Sequence, residues 1–332
     1  MPGRVIIESF DSQVLRGNAA GDPHVRCVPV YLPPSYDPEP TRRFPVIVVI
    51  TGFTGRGRML LNDNTFSPPL DERLDGLIAS GRMRECIVVM PDCYTRFGGS
   101  QYLDSSATGR YETHLIEELL PYVDRTYRTL AAREHRAVVG KSSGGYGSLR
   151  LAMRHPDLFG AMGSHSGDLY FEYCYRPELP AACDVIQQAG GPKAFLEGFE
   201  RKHQKSKSDF KGFEILGMAA CYSPDPSAEL GVALPFDLTT GAFRDDVWQR
   251  WVQHDPLTML ESHAEALRSM RLVYLDCGTR DEYHLHLGLR LFVRALEARG
   301  IAHTHLEYDD AHMNVSYRYD ESLPRLAEAI SA

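Results

Sequence analysis

No stretch of this chain has the run of apolar residues that a bilayer-crossing helix needs. The opening Met1-Pro-Gly-Arg-Val-Ile-Ile lacks the apolar core and small-residue cleavage site of a secretory leader. Membrane attachment is therefore not expected. Basic charge is also scarce, with 36 Lys and Arg against 44 Asp and Glu and a net charge of -8. Nucleic acids and anionic lipid surfaces attract clustered cations, so neither is expected as a partner. The one locally basic run, Lys202 to Lys211, has no aromatic interleaving and reads as a solvated loop or helix end. The seven cysteines form no C-x-x-C pair, and Cys86 and Cys277 lie inside apolar runs where a free thiol acts as a small hydrophobe. That usage excludes a disulfide framework and points to the cytoplasm. Repeats, low-complexity tracts and Pro/Gly/Ser-rich linkers are missing too, so the 332 residues are expected to build one domain with an insertion.

What is present is alternation. Short β-branched apolar runs recur at Arg4-Val-Ile-Ile, Cys27-Val-Pro-Val-Tyr-Leu, Pro45-Val-Ile-Val-Val-Ile, Cys86-Ile-Val-Val-Met, Arg136-Ala-Val-Val, Leu272-Val-Tyr-Leu-Asp and His303-Thr-His-Leu-Glu-Tyr. Between the later runs lie amphipathic segments at 70–80, 112–128, 143–155, 284–299 and 321–331, with Gly300 as a C-terminal stop for the fourth. Continuous apolar strands separated by helices predict a largely parallel sheet covered on both faces, with the first two strands as an antiparallel edge. From 167 to 251 the alternation fails, and this stretch is read as a cap or lid inserted after a strand near Met162. Residues 1–166 and 252–332 would then form the core.

The chemical signal is Gly140-Lys-Ser-Ser-Gly144, a match to G-x-S-x-G. With 28 glycines in the chain the bare match is weak, but it follows the strand Arg136-Ala-Val-Val at once and opens the helical pattern from Tyr146. Strand, sharp turn and helix are what a nucleophile elbow requires. The serine there takes a strained positive-φ conformation, and residues two before and two after it must be small. Ser142 is therefore the candidate nucleophile. A serine needs a base oriented by a carboxylate, in the chain order Ser, Asp/Glu, His. His312 is the one histidine of thirteen in a loop directly after the last expected strand, with His165 in reserve. Asp281 follows the strand before it. Asp276 reads as still within the strand, Glu282 as the start of the next helix, and Asp168 as lying after another strand. The oxyanion hole is expected from two backbone N–H groups, that of Ser143 and that of Phe53 in the glycine-rich loop after the strongest strand.

The segments Gly140-Lys-Ser-Ser-Gly-Gly-Tyr-Gly, Tyr111-Glu-Thr-His-Leu-Ile-Glu-Glu-Leu-Leu-Pro-Tyr-Val-Asp and Asp157-Leu-Phe-Gly-Ala, with the terminal acid and histidine loops, resemble the putative-esterase family. That family takes in esterase D, feruloyl and enterochelin esterases and the antigen 85 mycolyltransferases. The resemblance covers most of the chain outside the insertion. It implies an α/β-hydrolase fold, a triad carried by Ser142, Asp281 and His312, and hydrolysis or transfer of an acyl group without a cofactor. Thr51 stands where many relatives have histidine, and Lys141 follows the first elbow glycine. These departures leave the substrate open.

No metal is expected. On a helix His284 and His286 would point about 200° apart, and His303 with His305 on one strand face finds no third ligand. Gly98-Gly-Ser-Gln-Tyr102 follows a strand end, from which it could reach the site, and carries no phosphate-binding signature. The aromatics of 170–175, with Trp248 and Trp251, offer the lining of an aromatic or acyl pocket, with packing of the insertion onto the body as the preferred reading. The leading expectation is a serine esterase acting on a small-molecule carboxylic ester. An acyltransferase using the same triad, and an α/β-hydrolase-fold binding protein without activity, are the alternatives, and a homo-oligomer is left open.

Overall fold

The computed structural model describes residues 2–331. Eight of its strands form one sheet: β1 (Arg4–Asp11), β2 (Val25–Leu32), β3 (Val46–Ile50), β4 (Ile87–Val89), β7 (Arg136–Lys141), β8 (Ala161–His165), β9 (Leu272–Gly278) and β10 (Thr304–Tyr308). A separate two-stranded ladder, β5 (Asp104–Ser105) with β6 (Gly109–Arg110), stands apart from it. The spatial order is β1-β2-β4-β3-β7-β8-β9-β10. β1 pairs antiparallel with β2 and β2 with β4, whereas every pair from β4 to β10 is parallel. This is the α/β-hydrolase fold, with the antiparallel edge that the two helix-free N-terminal strands predict.

The apolar strands are continuous because both faces are covered. Val46, Val48 and Ile50 of β3 enter one core cluster, while Ile47 and Val49 between them enter the other. Helices Leu70–Ala79 and Tyr319–Ser331 cover the second face with Leu70, Leu74, Leu77, Leu323, Leu326 and Ile330. Burying each Val or Ile of β3 stabilises the fold by roughly 1.5–3 kcal/mol relative to leaving it exposed. β3 lies between β4 and β7, so the chain leaves it in both directions across the sheet. The loops after β3 and β7 thus open side by side at the carboxyl ends of neighbouring strands, which is where an open α/β sheet forms its crevice.

The helix Leu285–Ala298 ends as its sequence predicts, at Gly300 with φ +63°, where the N–H of Ile301 donates to the Leu296 carbonyl at 3.0 Å. The stretch between β8 and β9, where no period is legible, is mostly helical. It holds Phe171–Cys174, Leu179–Gln188, Pro192–Arg201, Lys207–Tyr222, Asp245–Val252 and Pro256–Arg268. The segment 112–128 is helical from Tyr111 to Thr126 but opens into a wide i→i+5 turn over His114–Leu119. Among the described residues, no helix is long and apolar enough to cross a membrane. All seven cysteines are free, and all but Cys27 are buried.

The wide turn buries His114 completely, 3.5 Å from Glu118. Burial pulls its imidazole down to about 4 against the opposing pull of Glu118, and burial also pulls His254 down to about 4. Both values lie below that of an unfolded histidine, about 6.5, so the folded state favours the neutral rings. Their contribution to stability is present in full above pH 6.5 and is lost as pH falls through about 4. Thermal denaturation from pH 7 to pH 4 should therefore show a falling midpoint. His114→Phe should flatten that decline, and an unchanged slope in the variant would show that the decline originates elsewhere.

Candidate active site

Ser142 sits between the end of β7 and the helix Ser143–Arg154, with φ 57° and ψ -128°. Such a conformation is strained for a residue with a Cβ and persists only where its surroundings enforce it. Here the Ser142 N–H donates to the His165 carbonyl of the neighbouring strand at 2.9 Å, and the Ser142 carbonyl accepts from the Tyr146 N–H at 2.9 Å. The flanking glycines are required by space. A Cβ on Gly140 would lie 2.5 Å from the Ile50 carbonyl oxygen, and one on Gly144 would lie 2.4 Å from that same atom. The tight turn therefore packs directly on the end of β3.

His312, in the loop after β10, reaches Ser142 Oγ with its Nε2 at 3.0 Å. Its Nδ1 lies 2.7 Å from Asp281 Oδ2, and both residues are buried, 4% and 2% exposed. With Nδ1–H donated to the carboxylate, Nε2 is free to accept from the serine hydroxyl. Asp281 is fixed in turn, since its Oδ1 accepts the Tyr283 N–H at 3.0 Å. Burial pushes its carboxyl up, but the bond from His312, the charge of that ring and the backbone N–H groups of Tyr283 and Leu285 hold it below the usual carboxylate range. Tyr283 also stacks edge-on against the His312 ring, 4.9 Å between centroids.

The other acids and the reserve histidine take different places. Asp276 is in β9, as its position in the apolar run suggests, and pairs with His165 at 2.7 Å, Tyr274 at 2.8 Å and Arg318 at 3.0 Å. His165 closes a second chain of bonds through its Nε2 to Ser322 Oγ at 2.8 Å. Serine, histidine and aspartate thus meet twice in this protein, but the second set is almost fully buried and supports the β8–β9 pairing beneath the elbow. Glu282 departs from the expected helix-start role. The helix begins only at Leu285, and Glu282 Oε2 accepts the His312 N–H at 2.8 Å, so that it fixes the histidine loop.

The loop after β3 lies against the nucleophile. A Cβ on Gly52 would come 3.2 Å from Ser142 Cβ, and among the described residues the Phe53 N–H has no hydrogen-bond acceptor. This loop is held by Gly98-Gly-Ser-Gln-Tyr102, whose role the sequence leaves open. The Gly98 carbonyl accepts the Thr54 N–H at 2.7 Å, and the Tyr102 hydroxyl donates to the Thr51 carbonyl. Gln101 and Tyr102 both adopt positive φ to do so, 47° and 55°. Ser143 opens the helix, with its N–H at the unsatisfied first turn, and its hydroxyl donates to Asp168 Oδ2 at 3.1 Å.

Ser142 and His312 open on a cavity of ≈ 340 Å³. Phe53, Phe210, Tyr283 and Leu285 supply much of its apolar lining, and Lys141, Asp168 and Glu214 its charged groups. Tyr175 takes the pocket-lining role of the two open to the 170–175 aromatics: it lines this cavity, and it donates its hydroxyl to Asp168 at 2.6 Å. Burial pulls the Lys141 ammonium down, against Asp281, Asp168 and Glu282. Among the described residues, no group of three metal-ligating side chains converges anywhere.

Residues 23–320 match the family described as "Putative esterase". The chain belongs to that family. Among relatives of this esterase family, the endo-1,4-beta-xylanase/feruloyl esterase of Xylanibacter ruminicola is 29% identical over 201 residues, 58% of this chain and 26% of that protein. The chain therefore spans about a quarter of the length of that curated relative. A ferulic acid esterase structure superposes with a TM-score of 0.65 at 20% identity, covering 99% of each chain. An S-formylglutathione hydrolase from Agrobacterium tumefaciens gives 0.59 at 18% identity, covering 99% of this chain and 96% of that one. At these identities the two structures speak for the shared fold.

Proposed function

We propose that this protein is a serine esterase that cleaves a carboxylic ester through an acyl-enzyme on Ser142. The observation that carries this reading is the relay from Ser142 Oγ through His312, at 3.0 Å, to Asp281, at 2.7 Å, on the wall of a cavity. Membership of an esterase family supports the same chemistry.

In this mechanism Ser142 Oγ attacks the ester carbonyl carbon as its proton passes to His312 Nε2. The carbonyl oxygen becomes an oxyanion, stabilised by the N–H groups of Phe53 and Ser143 and by the positive end of the helix Ser143–Arg154. His312 then returns the proton to the alkoxy oxygen, the C–O bond breaks and the alcohol leaves. Water attacks the acyl-enzyme, gives its proton to His312, and the acid departs as that proton returns to Ser142. Asp281 holds the imidazole in the required tautomer throughout. No cofactor or metal enters a step. The connection between β8 and β9 contributes Asp168, Cys174, Tyr175, Phe210 and Glu214 to the cavity lining, and we assign to residues 167–251 the role of a cap that shapes the substrate pocket.

A fluorophosphonate probe tests the nucleophile without knowledge of the substrate. Peptide mapping should find one adduct, on Ser142, and none in Ser142→Ala. Labelling at another serine, or none on folded protein, would refute the assignment.

A further inference from the structure

The carboxylates of the cavity are supplied unevenly with partners. All the protein's hydrogen bonds to Asp168 converge on one oxygen: Oδ2 accepts from Tyr175 at 2.6 Å, from Ser143 at 3.1 Å and from Gln101 at 3.2 Å. Among the described residues Oδ1 receives none, and the residue lines the cavity beside Ser142. A carboxylate oxygen open to a cavity and without a donor of its own is free to accept one from a ligand. Glu214, on the helix Lys207–Tyr222, lines the same cavity, and among the described residues its carboxyl accepts no hydrogen bond and pairs with no cation, Lys211 being paired with Glu178.

We propose that Asp168 and Glu214 form a subsite for an uncharged hydroxyl group carried by the ester, the hydroxyl donating its proton to Asp168 Oδ1. This deepens the esterase reading and rests on that cavity receiving the substrate. A hydroxyl suits the pair better than an ammonium group, because the ammonium of Lys141 already lines the cavity and would repel a second cation. Burial, with Asp168 and Glu178 adding to it against Lys211, pushes the Glu214 carboxyl up to about 8. At neutral pH it therefore holds a proton that it can donate to the hydroxyl oxygen. One acid accepts and the other donates, which matches the two capacities of a single hydroxyl. The same Asp168 holds the side chain of Ser143, whose N–H is assigned to the oxyanion, so a ligand seated there is tied to the reacting centre by one residue.

The test uses the full chain carrying Ser142→Ala and measures binding by calorimetry, so no turnover is needed. The probes are linear esters of graded length ending in hydroxyl, methoxy or ammonium, with the terminal group on the acyl side in one series and on the alkoxy side in the other. One hydroxyl ester should bind at least about tenfold tighter than its methoxy partner, which can accept a hydrogen bond but not donate one. Asp168→Asn should bring that ratio to unity or invert it. Three donors surround the Oδ2 position, so the amide oxygen must take it and the NH₂ must face the cavity, where it favours the methoxy group. Loss of local structure alone would weaken both esters together and leave the ratio unchanged. Equal binding of hydroxyl and methoxy esters in both series, or tighter binding of the ammonium esters, would overturn the subsite. Either result would leave fluorophosphonate labelling of Ser142 intact, and so would be distinguishable from failure of the esterase reading.

Discussion

Asp281→Asn should lower ester turnover by about 10⁴ while leaving the fold in place. The asparagine NH₂ would donate to His312 Nδ1, which forces the imidazole proton onto Nε2 and turns that nitrogen from an acceptor for the Ser142 hydroxyl into a donor toward it. The Asp281 site can accommodate the change, because Oδ1 keeps its bond from the Tyr283 N–H at 3.0 Å. Asp276→Asn makes the control. Its side chain meets His165, Tyr274 and Arg318 rather than His312, so it should cost stability more than turnover. The measurement is kcat on a common ester, with thermal midpoints for both variants. Should Asp281→Asn stay within about tenfold of the parent while Asp276→Asn collapses in kcat alone, the relay must be redrawn through His165.

Ser142→Ala should abolish hydrolysis, with a loss on the order of 10⁶ in kcat, since the residues of such a relay act as a unit and what survives comes from binding and the oxyanion donors. The variant should also be at least as stable as the parent. Alanine keeps the strained φ of 57° but removes the hydroxyl of a residue whose backbone bonds to His165 and Tyr146 do the holding. Near-parental turnover by folded Ser142→Ala would refute the acyl-enzyme mechanism, whatever the stability measurement gave.

Legibility in the sequence followed how one-sided each element's environment is. Strand β3 is buried on both faces and reads as the unbroken run Val46-Ile-Val-Val-Ile50, and the helix Leu285–Ala298 carries a stop signal in Gly300. The elbow was readable because steric demand near Ile50 leaves only glycine at 140 and 144. The helix Lys207–Tyr222 was not, because it is packed nearly all round: from Ile215 to Tyr222 every residue is buried, which erases a 3.6-residue period. Its one local signal is the capping box of Ser206 with Asp209. Asp255, which caps Pro256–Arg268 by accepting the Leu257 N–H at 3.0 Å, is a similar signal for a helix that the periodicity does not reveal. Around the site, Ser142, His312 and Asp281 could be placed because each follows a strand. Glu214 could not, since its position depends on how the β8–β9 connection folds over the sheet, a non-local matter on which periodicity is silent.

The three groups of the relay belong to loops that follow β7, β9 and β10, so 170 residues separate Ser142 from His312. Among the described residues β10 is an edge strand with β9 as its one sheet neighbour, and its pairing with Tyr274 to Gly278 helps to position the His312 loop. A growing chain would therefore carry a complete elbow long before it carried a base, and would remain inert toward esters in the meantime. Loop closure must precede contacts this distant in sequence, which makes them intrinsically slow to form. Recovery of esterase activity after dilution from denaturant would accordingly time the docking of the final strand, lagging behind spectroscopic signals from the earlier half of the sheet.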